Sequence, residues 1–158
     1  MRRLAVALLV FTLVSVSPYA YAGTGNNNSQ SLTGTWRITV TLPPGASVCP
    51  PGPDSCLFLA LATTSDDGTA VQTAALPAIS TGHGVWQRVG SRTFTVRTTY
   101  FRYDASGVLI GTAETFTTLS LTKDGLSASG EYAVTLLDLT GTEVGAFAGT
   151  VVATRLVP

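Results

Sequence analysis

From Leu32 onward the chain alternates apolar and polar positions with a period of two, and no window places apolar residues at helical spacing. β-branched and aromatic residues fill these runs, and Gly, Pro, Asp and Ser cluster between them. The pattern predicts eight strands, at residues 34–42, 56–65, 69–75, 84–89, 92–104, 108–122, 126–138 and 144–156. Most of the connections are too short for anything but hairpins. Asp67-Gly68 and Asp124-Gly125 are hairpin dipeptides, Gly90-Ser91 suits a two-residue type II′ turn, and Asp104-Ala105-Ser106-Gly107 and Thr140-Gly141-Thr142 are short glycine turns. Sequential strands should therefore pair antiparallel. A strand of a dozen residues would span about 40 Å if straight, so the longest must coil. The expected fold class is all-β: a single antiparallel up-and-down eight-stranded barrel with no substantial helix, since closure also removes sheet edges.

Turn geometry turns these runs into faces. If Val89 opposes Arg92, Asp104 opposes Gly107 and Lys123 opposes Leu126, then Trp86 lies opposite Thr95, Arg97 opposite Glu114 and Thr118 opposite Glu131. One face then carries Trp86, Arg88, Thr95, Arg97, Glu114, Phe116, Glu131 and Thr135, with His83 and Gly84 nearby. The other carries Val85, Val89, Phe94, Val96, Tyr100, Ala113, Leu119, Leu121, Tyr132, Val134 and Leu136. Apolar burial favours the second face as the interior, joined by Trp36, Ile38 and Val40. The inverted arrangement would put Trp86, Arg97, Glu114 and His83 in the lumen. Phe101 and Tyr103 fall on the polar face, which points to a bulge near Tyr100 or to strand ends covered on both sides.

The first segment has a different character. Arg2 and Arg3 precede the apolar run from Leu4 to Val16, and Ala20-Tyr21-Ala22 has the small-x-small pattern of a secretory cleavage site. Residues 1–22 are therefore read as a signal peptide cleaved after Ala22, 23–31 as a flexible polar leader and 32–158 as the barrel domain. The apolar run is shorter than the roughly 20 residues of a spanning helix. The expected product is exported, periplasmic or extracellular, with no integral membrane segment after cleavage. Losing two of nine basic residues and no acidic ones leaves seven against nine, a net charge of −2. With one lysine and scattered arginines, nothing in this balance concentrates positive charge for nucleic acid.

Cys49 and Cys56 bracket a proline-rich loop, and export places them where disulfides persist, so they are expected to pair. A loop that short would contribute on the order of 2–3 kcal/mol on the chain-entropy argument. No metal site and no cofactor are expected. The carboxylates fall mostly at turns, with only Glu114 and Glu131 inside strands, and there is a single histidine.

Gly34-x-Trp36 at the start of the first long strand, with Arg155 near the end of the last, resembles the calycins, the lipocalin and avidin group of small barrels. The resemblance implies that Trp36 plugs one barrel end and that Arg155 stacks on it by cation-π attraction. The middle of the chain, around Gly82-His83-Gly84-Val85-Trp86, is loosely similar to allene oxide cyclase and dirigent barrels and resembles bacterial secreted proteins.

Three functions are compatible with these readings. The first is non-catalytic binding of a small apolar ligand in the lumen, lined by Trp36, Phe94, Tyr100 and Tyr132, with the two tyrosines as polar handles. The second is a cofactor-free cyclase or isomerase built on His83, Trp86, Arg97 and Glu114, in which a buried Glu beside an Arg and a His would protonate or orient substrate. The third is a structural component of the envelope assembled as a homo-oligomer.

Overall fold

A computed structural model of the chain describes residues 30–46, 54 and 56–158. Eight strands succeed one another: β1 (Gly34–Leu42), β2 (Cys56–Thr64), β3 (Thr69–Ala74), β4 (Gly82–Arg88), β5 (Thr93–Tyr103), β6 (Leu109–Leu121), β7 (Ser127–Leu137) and β8 (Glu143–Arg155). Each pairs antiparallel with the next, and β8 returns to β1 to close the barrel. The up-and-down connectivity and the strand positions are those expected from the periodicity. Among the described residues no helix is long and apolar enough to cross a membrane.

The interior is the apolar face. Val40, Leu42 and Phe94 are fully buried, and Trp36, Tyr100, Tyr132, Val134, Leu136 and Val151 pack with them. Burying side chains of this size contributes about 1.5–3 kcal/mol each, which is why the apolar phase of each strand turns inward. Bulk is not evenly spread around the wall. β2, β3 and β4 present Ala60, Ala62, Ala70, Gly82 and Gly84 inward, opposite the larger residues of β1 and β5–β7. Glycine is required at two of these positions: a Cβ on Gly84 would lie 1.8 Å from the Arg97 carbonyl oxygen, and one on Gly82 would lie 2.4 Å from the Tyr100 ring. The other face of β2 is apolar too, and Leu57, Leu59 and Leu61 project from it, 53–67% exposed.

Of three pairings expected from turn length, two are corrected and one holds. The connection between β4 and β5 holds three residues, 90–92, because the Val89 N–H donates to the Thr93 carbonyl at 2.9 Å. Trp86 therefore opposes Val96 rather than Thr95. That one-residue shift reverses both faces of β4: Trp86 turns inward, while Val85 and Val89 stand outside, 59% and 54% exposed. The β5–β6 register differs by two residues, so Arg97 faces Phe116 and not Glu114. One residue comes from the turn, where Asp104 and Val108 flank a three-residue loop, and the other from a bulge beside Arg102 and Tyr103. A shift of two preserves the faces, so the β5 and β6 interiors are as expected. Thr118 does oppose Glu131.

The turns share a device. Asp104 accepts hydrogen bonds from the Ser106 N–H (2.8 Å), the Ser106 hydroxyl (2.7 Å) and the Val108 N–H (2.9 Å). Asp138 repeats the arrangement with Thr140 and Thr142. Gly107 and Gly141 complete these two loops at φ 83° and 82°, a backbone region that favours glycine. The hydroxyl and backbone donors hold the carboxyl pKa of Asp67, Asp104, Asp124 and Asp138 below its ordinary value.

Candidate functional site: the barrel lumen

The lumen is sealed at one end. The Trp36 indole N–H donates to the Leu32 carbonyl at 2.8 Å, and the Thr64 hydroxyl donates to the same oxygen. Arg155 lies over the Trp36 ring, its guanidinium carbon 4.3 Å from the centroid. Its Nε donates to the Gly125 carbonyl (2.8 Å), one Nη to Ser31 (2.6 Å) and the other to Thr33. One side chain thus ties the segment before β1 to the hairpin between β6 and β7. Gly34 at φ 136° makes room for it, since a Cβ there would meet the guanidinium at 2.6 Å. Trp86 and Phe94 pack edge to face at the same end, with centroids 5.8 Å apart, and the Trp86 indole N–H donates to the Ser65 carbonyl at 2.9 Å. Arg88 covers Phe94 at 5.1 Å and donates to the Ser91 and Gln30 carbonyls.

Two cavities of about 40 Å³ each lie inside. The first forms where the small residues Ala62 of β2 and Ala70 of β3 fail to fill the space that larger residues frame. The first sits above the plug, walled by Trp36, Ile38, Val96, Leu119 and Val151, with Gln72 and Thr117 as polar members. The second lies toward the opposite end, between Phe58, Tyr100, Tyr132, Leu136 and Phe147, with Arg102 in its wall. Phe58 and Tyr132 meet edge to face at 6.3 Å.

Two buried polar atoms in this stretch of β5 have no hydrogen-bond partner among the described residues: the Thr98 Oγ1 and the Tyr100 hydroxyl. Tyr100 is 2% exposed. Burial pushes its pKa up, and the neighbouring Tyr132 adds to the shift. Tyr132 is pushed up by burial as well. Both are therefore neutral phenols at physiological pH, able to donate as well as accept.

The residues singled out from sequence distribute unevenly between the lumen and the outer surface. Trp36 lines the first cavity, and Tyr100 and Tyr132 line the second. Phe94 is fully buried beside Trp86 and borders neither. The four candidate catalytic residues do not converge in the lumen. His83, Arg97 and Glu114 are exposed on the outer surface, with His83 and Glu114 on opposite sides of Thr99. Arg97 stacks on Phe116 at 5.2 Å. Only Trp86 faces inward, so the inverted lumen is not the one this barrel builds. Cys56 opens β2, but Cys49 lies outside the described residues, and with it the expected bridge. Sequence reasoning passed over Phe58, Phe147 and Arg102. Arg102 was findable, since it sits two residues after Tyr100 and so shares its inward phase.

The fold and the Trp36–Arg155 clasp define a small closed antiparallel barrel, consistent with a calycin-like architecture. No known family model matches the chain, and no curated protein matches it significantly.

Proposed function

We propose that this is an exported, non-catalytic binding barrel of the lipocalin and avidin kind that holds a small, largely apolar molecule at the end of its lumen away from Trp36. The observation that carries the reading is the Tyr100 hydroxyl: a phenol 2% exposed, on the wall of an apolar cavity, without a partner for its proton among the described residues. Leaving such a group unsatisfied costs about 1–3 kcal/mol, and a ligand atom that accepts the bond would recover that cost. Tyr132 across the cavity offers a second handle.

Export by the general secretory route, cleavage after Ala22 and a Cys49–Cys56 bridge belong to the same proposal. Native mass spectrometry of the protein purified from its host's exported fraction tests all three together. The expected species begins at Gly23, is lighter than the reduced chain by the two hydrogens the bridge removes, and carries a discrete additional mass. An unliganded monomer that takes up no apolar probe would overturn the binding reading.

A second reading, a building block in a homo-oligomer, draws on the outward stripe of Leu57, Leu59 and Leu61. Sedimentation of the purified protein tests it, a single monomeric boundary across the accessible concentration range being the outcome that rejects it.

A further inference from the structure

Three arginines stand on the inward phase of their strands, at the two rims of the barrel: Arg88, Arg102 and Arg155. At the plugged end Arg155 makes three hydrogen bonds to carbonyls and stacks on Trp36. Arg88 makes two and covers Phe94. Arg102 is alone at the other end. Its one bond runs from Nη1 to the Leu137 carbonyl at 3.4 Å, longer than an ordinary N–H···O bond. Among the described residues lining the second cavity there is no carboxylate to pair with it.

A guanidinium is charged at every physiological pH and carries five N–H donors in a planar fork. Half-buried against an apolar cavity, it has one hydrogen bond within the described chain, and the best-matched occupant is a planar anion that accepts two further bonds at once. The rest of the wall restricts the group attached to that anion. Phe58, Tyr132, Leu136 and Phe147 offer hydrocarbon surface, and a volume of about 40 Å³ admits only the first few carbons of the attached group, which restricts it to a short chain. A dianion would bring a second charge into this apolar setting with no second cation to meet it.

Resting on the lumen being a ligand site, we propose that the cavity takes a short-chain monocarboxylate, its carboxylate on the Arg102 guanidinium and its alkyl chain among Phe58, Tyr132 and Phe147. The Tyr100 hydroxyl, on the same inner face of β5, is the second donor to the bound anion.

The test is calorimetric titration of the full chain with hexanoate and with hexan-1-ol. Hexanoate is expected to bind roughly 10- to 100-fold more tightly, the range that a hydrogen-bonded charge supplies. Arg102→Gln should bring hexanoate down to the affinity of the alcohol. Arg102→Lys, which keeps the charge without the planar fork, should fall between. Tyr100→Phe should weaken hexanoate yet leave the melting temperature of the unliganded protein unchanged or higher, because its hydroxyl has no bond to lose. A fall in that temperature would assign the hydroxyl a structural role and overturn its part in binding.

Equal binding of the two probes, or an Arg102→Gln protein that holds hexanoate undiminished, would overturn the carboxylate assignment while leaving a lumen that binds apolar molecules. Leu136→Phe, and Ala113→Val should that variant not fold, narrow the cavity and should weaken both probes. Probes indifferent to this narrowing, or no binding of either, would overturn the lumen reading and the inference together.

Discussion

The two ends of this barrel are built from the same kinds of residue and use them differently. At the Trp36 end, indole N–H groups and guanidinium forks all find backbone carbonyls, and each arginine also covers an aromatic ring. At the other end a phenol and an arginine sit on a cavity wall; among the described residues the first has no partner and the second a single long bond. A polar group in an apolar interior either closes its hydrogen bonds within the chain and stabilises the fold, or keeps them open and is available to something else. The first end is a fastener; the second keeps donors open, as the proposed binding function requires.

The largest expected effect falls on the fastener. Trp36→Ala removes a 2%-exposed indole and its bond to Leu32, and should cost about 3–5 kcal/mol in urea unfolding. A loss below 1 kcal/mol would mean that the plug does not hold the end shut. Next in size is Gly82→Ala, at the other end. An alanine in a strand would ordinarily stabilise by about 0.4–1 kcal/mol through the unfolded chain. Here the new methyl lies 2.4 Å from the Tyr100 ring and 2.6 Å from the Thr98 methyl, and overpacking of that kind costs about 1–3 kcal/mol, so net destabilisation is expected. Tyr100 must move to admit it, and ligand affinity should fall with stability.

A conservative swap separates the ends more finely. Arg155→Lys loses the fork and the ring stacking and should cost about 1–2 kcal/mol, whereas Arg102→Lys should change stability by less than about 0.5 kcal/mol. Equal losses at the two sites would erase the distinction drawn between them.

The smallest effect should be blind to the ends altogether. Asp67 and Asp124 stand in hairpins at the plugged end, and Asp104 and Asp138 at the other; all four have carboxyl pKa values lowered by hydrogen bonds in the fold. A depressed folded pKa means that the stabilisation is fully present above the unfolded carboxylate pKa near 4 and is lost as pH falls through the lower folded value. Melting temperature should therefore decline below about pH 4. Asp104→Ala and Asp124→Ala should each flatten that decline modestly and to a similar degree.

Much of this molecule is legible in its sequence for a local reason. Alternation along β6 or β8 and Asp-Gly pairs between runs depend on a few consecutive residues, and strand limits, antiparallel order and closure follow from them. The calycin-like clasp was legible too, since Gly34-x-Trp36 and Arg155 announce it and the two side chains do meet. Pairing across the turns was harder to read. Asp104-Ala105-Ser106-Gly107 folds as a three-residue loop because the Asp104 carboxylate gathers donors as far away as Val108, and a bulge beside Arg102 adds a further residue.

A miscount of one in the β4–β5 turn placed Trp86 on the wrong face, while a miscount of two beyond β5 left the interior intact. Short-range periodicity and the excess of apolar area on one phase set the strands, their order and the choice of an apolar interior, so these could be read along the chain. The fold alone turned Trp86 inward, set Arg97 against Phe116 instead of Glu114, and left Arg102 facing a cavity whose described lining holds no carboxylate. Those facts depend on register summed around a closed sheet, where each turn adds its own offset and no local pattern records the total.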